Sequence, residues 1–168
     1  MVGAIAPSSR GLACAMAREA REAAAVVELG AGTGAVTRAL VHANPARPLL
    51  VFERSNELAR GLRRDFPQAE VIADCFHLHT ARLAGLPDNA ALVSSLPFRS
   101  LPPEVANPTI AAICAFLAEH PARRLVQYTY QPRSPFVAPS GFQWQRRAQV
   151  VRNIPPAGVW VLNCTRLA

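Results

Sequence analysis

The chain has 168 residues, 51% of them hydrophobic and only 17% charged, which suits one compact domain spanning residues 1–168 and leaves little material for a second. All 18 basic residues are Arg, set against 11 acids for a formal charge of +7, so an acidic surface such as nucleic acid or anionic membrane is the favoured partner. No apolar run approaches the roughly 20 residues that span a bilayer, and the N-terminus lacks a signal-peptide layout, so membrane contact is expected to be peripheral.

In chain order, Ser8 and Ser9 read as a helix cap before the Ala-rich stretch Arg10 to Ala25. A strand is expected at Ala25 to Leu29, a helix at Thr33 to Ala43, a strand at Leu49 to Glu53, a helix at Asn56 to Phe66 and a strand at Glu70 to Ala73. The pattern then predicts a strand at Leu92 to Leu96, a helix at Pro102 to Ala118 with Pro in its first turn, and a strand at Arg124 to Tyr130. Such alternation builds a parallel sheet. After a stretch rich in Pro, Ser, Gly and aromatics, strands at Arg147 to Arg152 and Gly158 to Asn163 read as a terminal hairpin.

The four cysteines, Cys14, Cys75, Cys114 and Cys164, form no CxxC pair and have no His at ligand spacing, which argues against a metal site or a disulfide framework and fits a cytoplasmic protein. Cys14, Cys114 and Cys164 read as small buried hydrophobes. The histidines, His42, His77, His79 and His120, show no catalytic pairing.

Chemistry concentrates in Glu28-Leu29-Gly30-Ala31-Gly32-Thr33-Gly34, where a strand turns into a helix and glycines let a ligand approach the backbone. Glu53, with Arg54 beside it, ends the second strand 19 residues after Gly34, where a carboxylate can accept both hydroxyls of a ribose. A buried acid at Glu28 would repel a pyrophosphate but attract the sulfonium or ammonium side of S-adenosylmethionine. Asp74 can accept from an adenine amino group, flanked by Cys75 and Phe76, or else serve as a helix N-cap.

From Val27 to Phe76 the order and spacing of these residues resemble the class I methyltransferases. The resemblance implies an α/β, Rossmann-like fold: an open, mostly parallel seven-stranded sheet with helices on both faces and an antiparallel terminal hairpin. It narrows further. Val2-Gly-Ala-Ile-Ala-Pro-Ser-Ser-Arg10, the run from Val26 to Leu40, Ser94-Ser-Leu-Pro97, Val126-Gln-Tyr-Thr-Tyr130 and the late Asn153 to Ala157 segment look like bacterial phospholipid N-methyltransferases. That likeness implies transfer of methyl from S-adenosylmethionine to the amine of phosphatidylethanolamine and its methylated derivatives, with S-adenosylhomocysteine as product and phosphatidylcholine as end point. It also implies a cytoplasmic enzyme attached peripherally to the inner face of the membrane. The family's amphipathic helix ahead of the Val2 to Ser9 segment is expected to be missing, because the chain begins at Met1.

Methylating an amine requires desolvation and alignment rather than a nucleophilic side chain. Ser94, Ser95, Leu96 and Pro97 are therefore the expected acceptor segment, with Ser94 also beside the cofactor. Tyr128 and Tyr130 project from one face of the fifth strand, either towards an amine or phosphate or as core aromatics. Arg133, Arg146, Arg147 and Arg152 are candidates for phosphates, and Phe136, Phe142 and Trp144 for insertion at an interface. The competing readings are an rRNA adenine methyltransferase, which would stack a flipped base on Phe98, and a methyltransferase-like domain that binds cofactor but transfers nothing.

Overall fold

The computed structural model describes residues 9–151, 153 and 155–165. Expectations that fall on Val2 to Ser8, Arg152 and Ile154 lie outside the described residues. Eleven regular elements follow one another: α1 (Arg10–Glu19), β1 (Val26–Leu29), α2 (Ala35–Ala43), β2 (Leu49–Phe52), α3 (Asn56–Asp65), β3 (Glu70–Ile72), β4 (Ala91–Ser94), α4 (Pro103–Glu119), β5 (Arg124–Thr129), β6 (Phe142–Val150) and β7 (Ala157–Cys164). Two short 3₁₀ turns, Phe76–Leu78 and Thr80–Leu83, connect β3 to β4.

The strands form one seven-stranded sheet in the order β3-β2-β1-β4-β5-β7-β6. The first five pair parallel, while β7 inserts antiparallel between β5 and β6. Strands β1, β2 and β4 are buried along their whole length, so their side chains alternate between two apolar layers. On one face Val26, Val51 and Val93 pack under Leu12, Met16, Leu40 and Leu62 of α1, α2 and α3. On the other, Val27, Leu29, Phe52 and Leu92 meet Ile113, Phe116 and Leu117 of α4. The outer strand β6 carries Gln143, Gln145, Arg146, Arg147 and Gln149 on exposed positions, charge and polarity that oppose pairing with another sheet edge.

From β1 the chain runs outward to β2 and β3 and then crosses back from β3 to β4 on the other side of β1, so the strand order reverses between β1 and β4. A crevice forms there beyond the carboxyl ends of the strands, where open α/β sheets hold their ligands.

The fold matches the sequence expectation, with informative differences at the ends. Helix α1 stops at Glu19 rather than Ala25 because remote groups capture the following backbone. Arg47 Nη1 donates to the Ala20 carbonyl at 2.6 Å, the Asn89 side chain accepts from the Ala24 amide at 3.4 Å, and its Nδ2 donates to the Glu22 carbonyl at 3.0 Å. These contacts override a strong local alanine preference. Strand β4 ends at Ser94 rather than Leu96, because the Ser94 hydroxyl accepts from the Leu96 amide at 3.2 Å and turns the chain. Strand β6 begins at Phe142, five residues before the expected Arg147, as its register with β7 runs from Phe142 opposite Cys164. Cys14 is exposed on α1, against the expectation of burial, whereas Cys164 is buried and Cys114 half-buried.

Candidate active site

The β1 to α2 connection is built on backbone that only glycine adopts readily: Gly30, Gly32 and Gly34 all have positive φ. At Gly34 a Cβ would meet the Phe66 ring at 2.7 Å and Leu62 at 2.9 Å, so that glycine serves helix packing. At Gly32 a Cβ would meet nothing within 4 Å, which leaves the backbone open to an approaching ligand. The Ala31 carbonyl accepts from the Gly34 amide at 2.9 Å and closes the turn, while Thr33 is exposed at its tip.

Glu53 holds this loop from the end of β2. One carboxylate oxygen accepts from the Gly32 amide and the other from the Ser55 amide, each at 2.8 Å. A carboxylate oxygen accepts more than one hydrogen bond, so both retain acceptor capacity. Asp74 stands one strand further out. Its Oδ1 accepts from the Cys75 amide at 2.7 Å and its Oδ2 lies 2.8 Å from His79 Nε2; these two partners, the His79 ring first, hold the carboxyl below its ordinary range. Asp74 therefore caps no helix. His77 is tied to Thr109 Oγ1 at 3.0 Å on α4 and His120 lies 3.3 Å from Asp88, structural placements in both cases.

A cavity of about 230 Å³ opens between these elements, lined by Leu29, Gly30, Phe52, Glu53, Arg54, Asp74, Cys75, Phe76, Leu96 and Pro97. Phe52 and Phe76 meet edge to face at 5.5 Å and give it an apolar flank. Two carboxylates and one guanidinium line it. Behind the loop, Glu28 is fully buried, and burial pushes its carboxyl up to about 7, with Thr37 opposing and the neighbouring Glu53 charge adding to the rise.

A second cavity of about 330 Å³ lies on the other side of Leu96 and Pro97, bounded by Ser95, Phe98, Arg99, Gln127, Tyr128, Tyr130, Pro135 and Pro155. Leu96 and Pro97 thus form a wall common to both. The wall is held from three directions. Its start is fixed by the Ser95 amide donating to the Leu29 carbonyl at 2.9 Å and by the buried Ser94 hydroxyl, and a Cβ at Gly30 would strike the Leu96 side chain at 2.6 Å. Gln127, only 1% exposed on β5, donates from Nε2 to the Leu96 carbonyl at 3.0 Å and to the Tyr128 carbonyl at 2.9 Å. Sequence reading missed Gln127 because it took β5 for a strand of alternating apolar and polar residues, whereas the strand is buried on both faces with Gln127 inside. Arg99, also missed, reaches the Ser134 carbonyl across the second cavity.

Tyr128 and Tyr130 share one face and meet edge to face at 5.3 Å. Arg133 is exposed on the loop after β5 and lines neither cavity. Arg147 pairs with Glu19 at 3.1 Å, and Arg146 donates to Gln149. The aromatics expected at an interface are instead packed inward: Phe136 meets Phe98 at 4.9 Å and Trp144 at 5.0 Å, and Trp144 Nε1 donates to the Phe136 carbonyl. Phe142 is half-buried against the same cluster. Packing satisfies the indole N–H and buries the rings, which outweighs their exposure to an interface.

No protein-family model matches the chain, and no curated protein does. Solved structures do. The 23S rRNA methyltransferase ErmE superposes with a TM-score of 0.59 at 21% identity over 92% of this chain and 68% of its own. A TehB-like SAM-dependent methyltransferase from Corynebacterium glutamicum gives 0.64 at 14% identity over 90% and 86%. Precorrin-6y C5,15-methyltransferase from Geobacter metallireducens gives 0.59 at 11% identity over 90% and 86%. The chain has the class I methyltransferase fold.

Proposed function

We propose that this protein is an S-adenosylmethionine-dependent N-methyltransferase whose acceptor is the amine headgroup of a phospholipid of the phosphatidylethanolamine series. The observation that carries the reading is the wall of Leu96 and Pro97 between two cavities, one with carboxylates and one mainly apolar. The residues present fit the cofactor: the open backbone at Gly32, a strand-end carboxylate beside it, a second carboxylate at Asp74 and an apolar flank suit a nucleoside with a cationic tail. Glu53 suits the ribose of a dinucleotide equally well, and what disfavours a dinucleotide is the buried Glu28 carboxyl behind the loop that its pyrophosphate would occupy.

When bound, S-adenosylmethionine supplies an electrophilic methyl group for in-line displacement, leaving S-adenosylhomocysteine. Glu53 then accepts from ribose hydroxyls with its remaining lone pairs, and Asp74 accepts from the adenine amino group, with Cys75, Phe76 and Arg54 around it. Gly30, Ala31, Gly32, Thr33 and Gly34 present backbone to the cofactor's tail. On the acceptor side, the Ser95 hydroxyl accepts from an amine N–H and leaves the amine lone pair directed at the methyl group, while the Leu96 carbonyl, which already accepts from Gln127 Nε2 and the Phe98 amide, fixes the segment that carries Ser95. Ser94, buried and bonded to the Leu96 amide, acts through Leu96 as a positioning residue. Tyr130 flanks the amine and Tyr128 supports it, while Arg99, in the cavity lining, serves the headgroup phosphate and Arg133, exposed on the loop outside the lining, is left for phosphates at the lipid surface.

Support for a lipid comes from the apolar lining of the acceptor cavity and from Val137, 90% exposed two residues beyond its Pro135 wall. No helix among the described residues is long and apolar enough to cross a membrane, so attachment at the inner face would be peripheral. A second reading, adenine N-methylation in RNA, draws on the fold shared with ErmE. Against it, Phe98 is 7% exposed and its ring is engaged by Phe136, which leaves it poorly placed to stack a flipped base.

Incubation with methyl-labelled S-adenosylmethionine, phosphatidylethanolamine vesicles and, separately, ribosomal RNA tests the choice. Label in the ethanolamine lipid supports the proposal. Label in adenine alone replaces it with the RNA reading, and cofactor binding without transfer to either favours a non-catalytic domain.

A further inference from the structure

A second concentration of charge lies away from both cavities. Arg18, Glu19, Arg21 and Glu22 from the end of α1, Arg124 at the start of β5 and Arg147 on β6 surround a polar cavity of about 260 Å³ that shares no lining residue with the other two. Arg124 and Tyr128 are four residues apart on β5, roughly 13 Å along the strand. The cluster therefore sits towards the opposite end of the sheet from the acceptor.

Its construction is specific. The register of β6 against β7 shifts between Arg146 and Ala148, so Arg147 is the extra residue of a β-bulge, a device that re-aims a side chain. Here it brings the Arg147 guanidinium to Glu19 at 3.1 Å. Arg21 pairs with Glu22 at 3.4 Å. Four guanidiniums then face two carboxylates, and among the described residues no ion pair engages Arg18 or Arg124. Arg124 Nε is buried without a hydrogen-bond partner, so no acceptor within the protein anchors that guanidinium, and it is the remainder of the Arg124 side chain lining the cavity that an anion can meet. The carbonyl end of α1 does not oppose an anion as strongly as a bare helix terminus would, because Arg47 already donates to the Ala20 carbonyl.

We infer that this cavity is a phosphate-binding site, separate from catalysis, in which Arg124 and Arg18 hold the oxygens of a phosphate group and Arg147 and Arg21 exchange their carboxylate partners to close on it. Guanidinium geometry suits phosphate oxygens, which accept two parallel N–H bonds from one fork. The site does not depend on the acceptor named above.

The test titrates inorganic phosphate into the full chain while following the Arg Nε–H resonances by NMR, alongside Arg124→Gln, Arg147→Gln and Glu22→Gln. Thermal melts of each variant establish that it is folded. Phosphate is expected to bind with a dissociation constant on the order of 1 mM and to shift the Arg124 Nε–H resonance. Arg124→Gln should weaken binding about tenfold, and Glu22→Gln, which removes a competing carboxylate, should tighten it several-fold. Glycerol phosphate and vesicles containing phosphatidic acid distinguish the source. Retention on vesicles that Arg124→Gln abolishes assigns a lipid phosphate, and response to the soluble ligands alone assigns a soluble one. No resonance shift at 20-fold that concentration, or equal binding by wild type and Arg124→Gln, overturns the inference.

Discussion

The side-chain amide of Gln127 donates to the carbonyl of Leu96 at 3.0 Å and so ties the centre of β5 to the segment that divides the two cavities. The same amide nitrogen donates to the Tyr128 carbonyl, and with both N–H groups facing carbonyls its orientation is fixed. Gln127 is a positioning residue. Replacing it by Leu removes one of the two bonds that hold the Leu96 carbonyl, leaving only that from the Phe98 amide, and a misplacement of about 1 Å in a reacting pair costs on the order of 100-fold in rate. Gln127→Leu should accordingly lower kcat by that order while cofactor affinity stays within about threefold. Equal losses in binding and turnover would show that Gln127 supports the fold alone.

Gly32 and Gly34 should part company when each is changed to Ala. Both substitutions strain a left-handed backbone, by about 1–2 kcal/mol. Gly34→Ala adds a clash with Phe66 and Leu62, costing a further 1–3 kcal/mol or so as overpacking. Gly32→Ala meets no protein atom, so its larger effect should fall on ligand binding. Denaturant unfolding and calorimetry together separate the two. Equal stability losses with unchanged cofactor affinity in Gly32→Ala would place the ligand elsewhere.

Glu28 links stability to pH. Folded Glu28 keeps its proton until about pH 7, whereas the unfolded chain releases it near 4.5, so its contribution is complete below pH 4.5 and is lost as pH rises to about 7. The loss is roughly 3 kcal/mol at the order-of-magnitude level. Glu28→Gln should flatten the stability profile between pH 5 and 8. A profile parallel to wild type would mean that Glu28 is not the group responsible.

Much of this was legible in the sequence. The glycine motif and the resemblance to class I methyltransferases singled out Glu28, Gly30, Gly32, Gly34, Glu53 and Asp74, and of these Gly30, Glu53 and Asp74 line one cavity, because each stands where a parallel strand leaves the sheet. What escaped depends on residues far apart in the chain. Helix α1 ends where Arg47 and Asn89 seize its backbone, and Phe136, Trp144 and Phe98 find one another across the loop after β5. Gln127 escaped for the same reason: its partner carbonyl is 31 residues away, and a single buried amide looks like any other strand residue until the fold is seen.

The most direct test of the account is calorimetric titration of S-adenosylmethionine into wild type and Glu53→Ala, with methyl transfer to phosphatidylethanolamine vesicles measured on the same samples. Glu53 accepts from both Gly32 and Ser55, and charged hydrogen bonds are worth about 1.5–3 kcal/mol each. Wild type is expected to bind, a folded Glu53→Ala to lose affinity at least about tenfold, and methylated lipid to form only in samples that bind. Wild-type protein that does not bind the cofactor, or a variant that binds it equally well, would contradict the site described here.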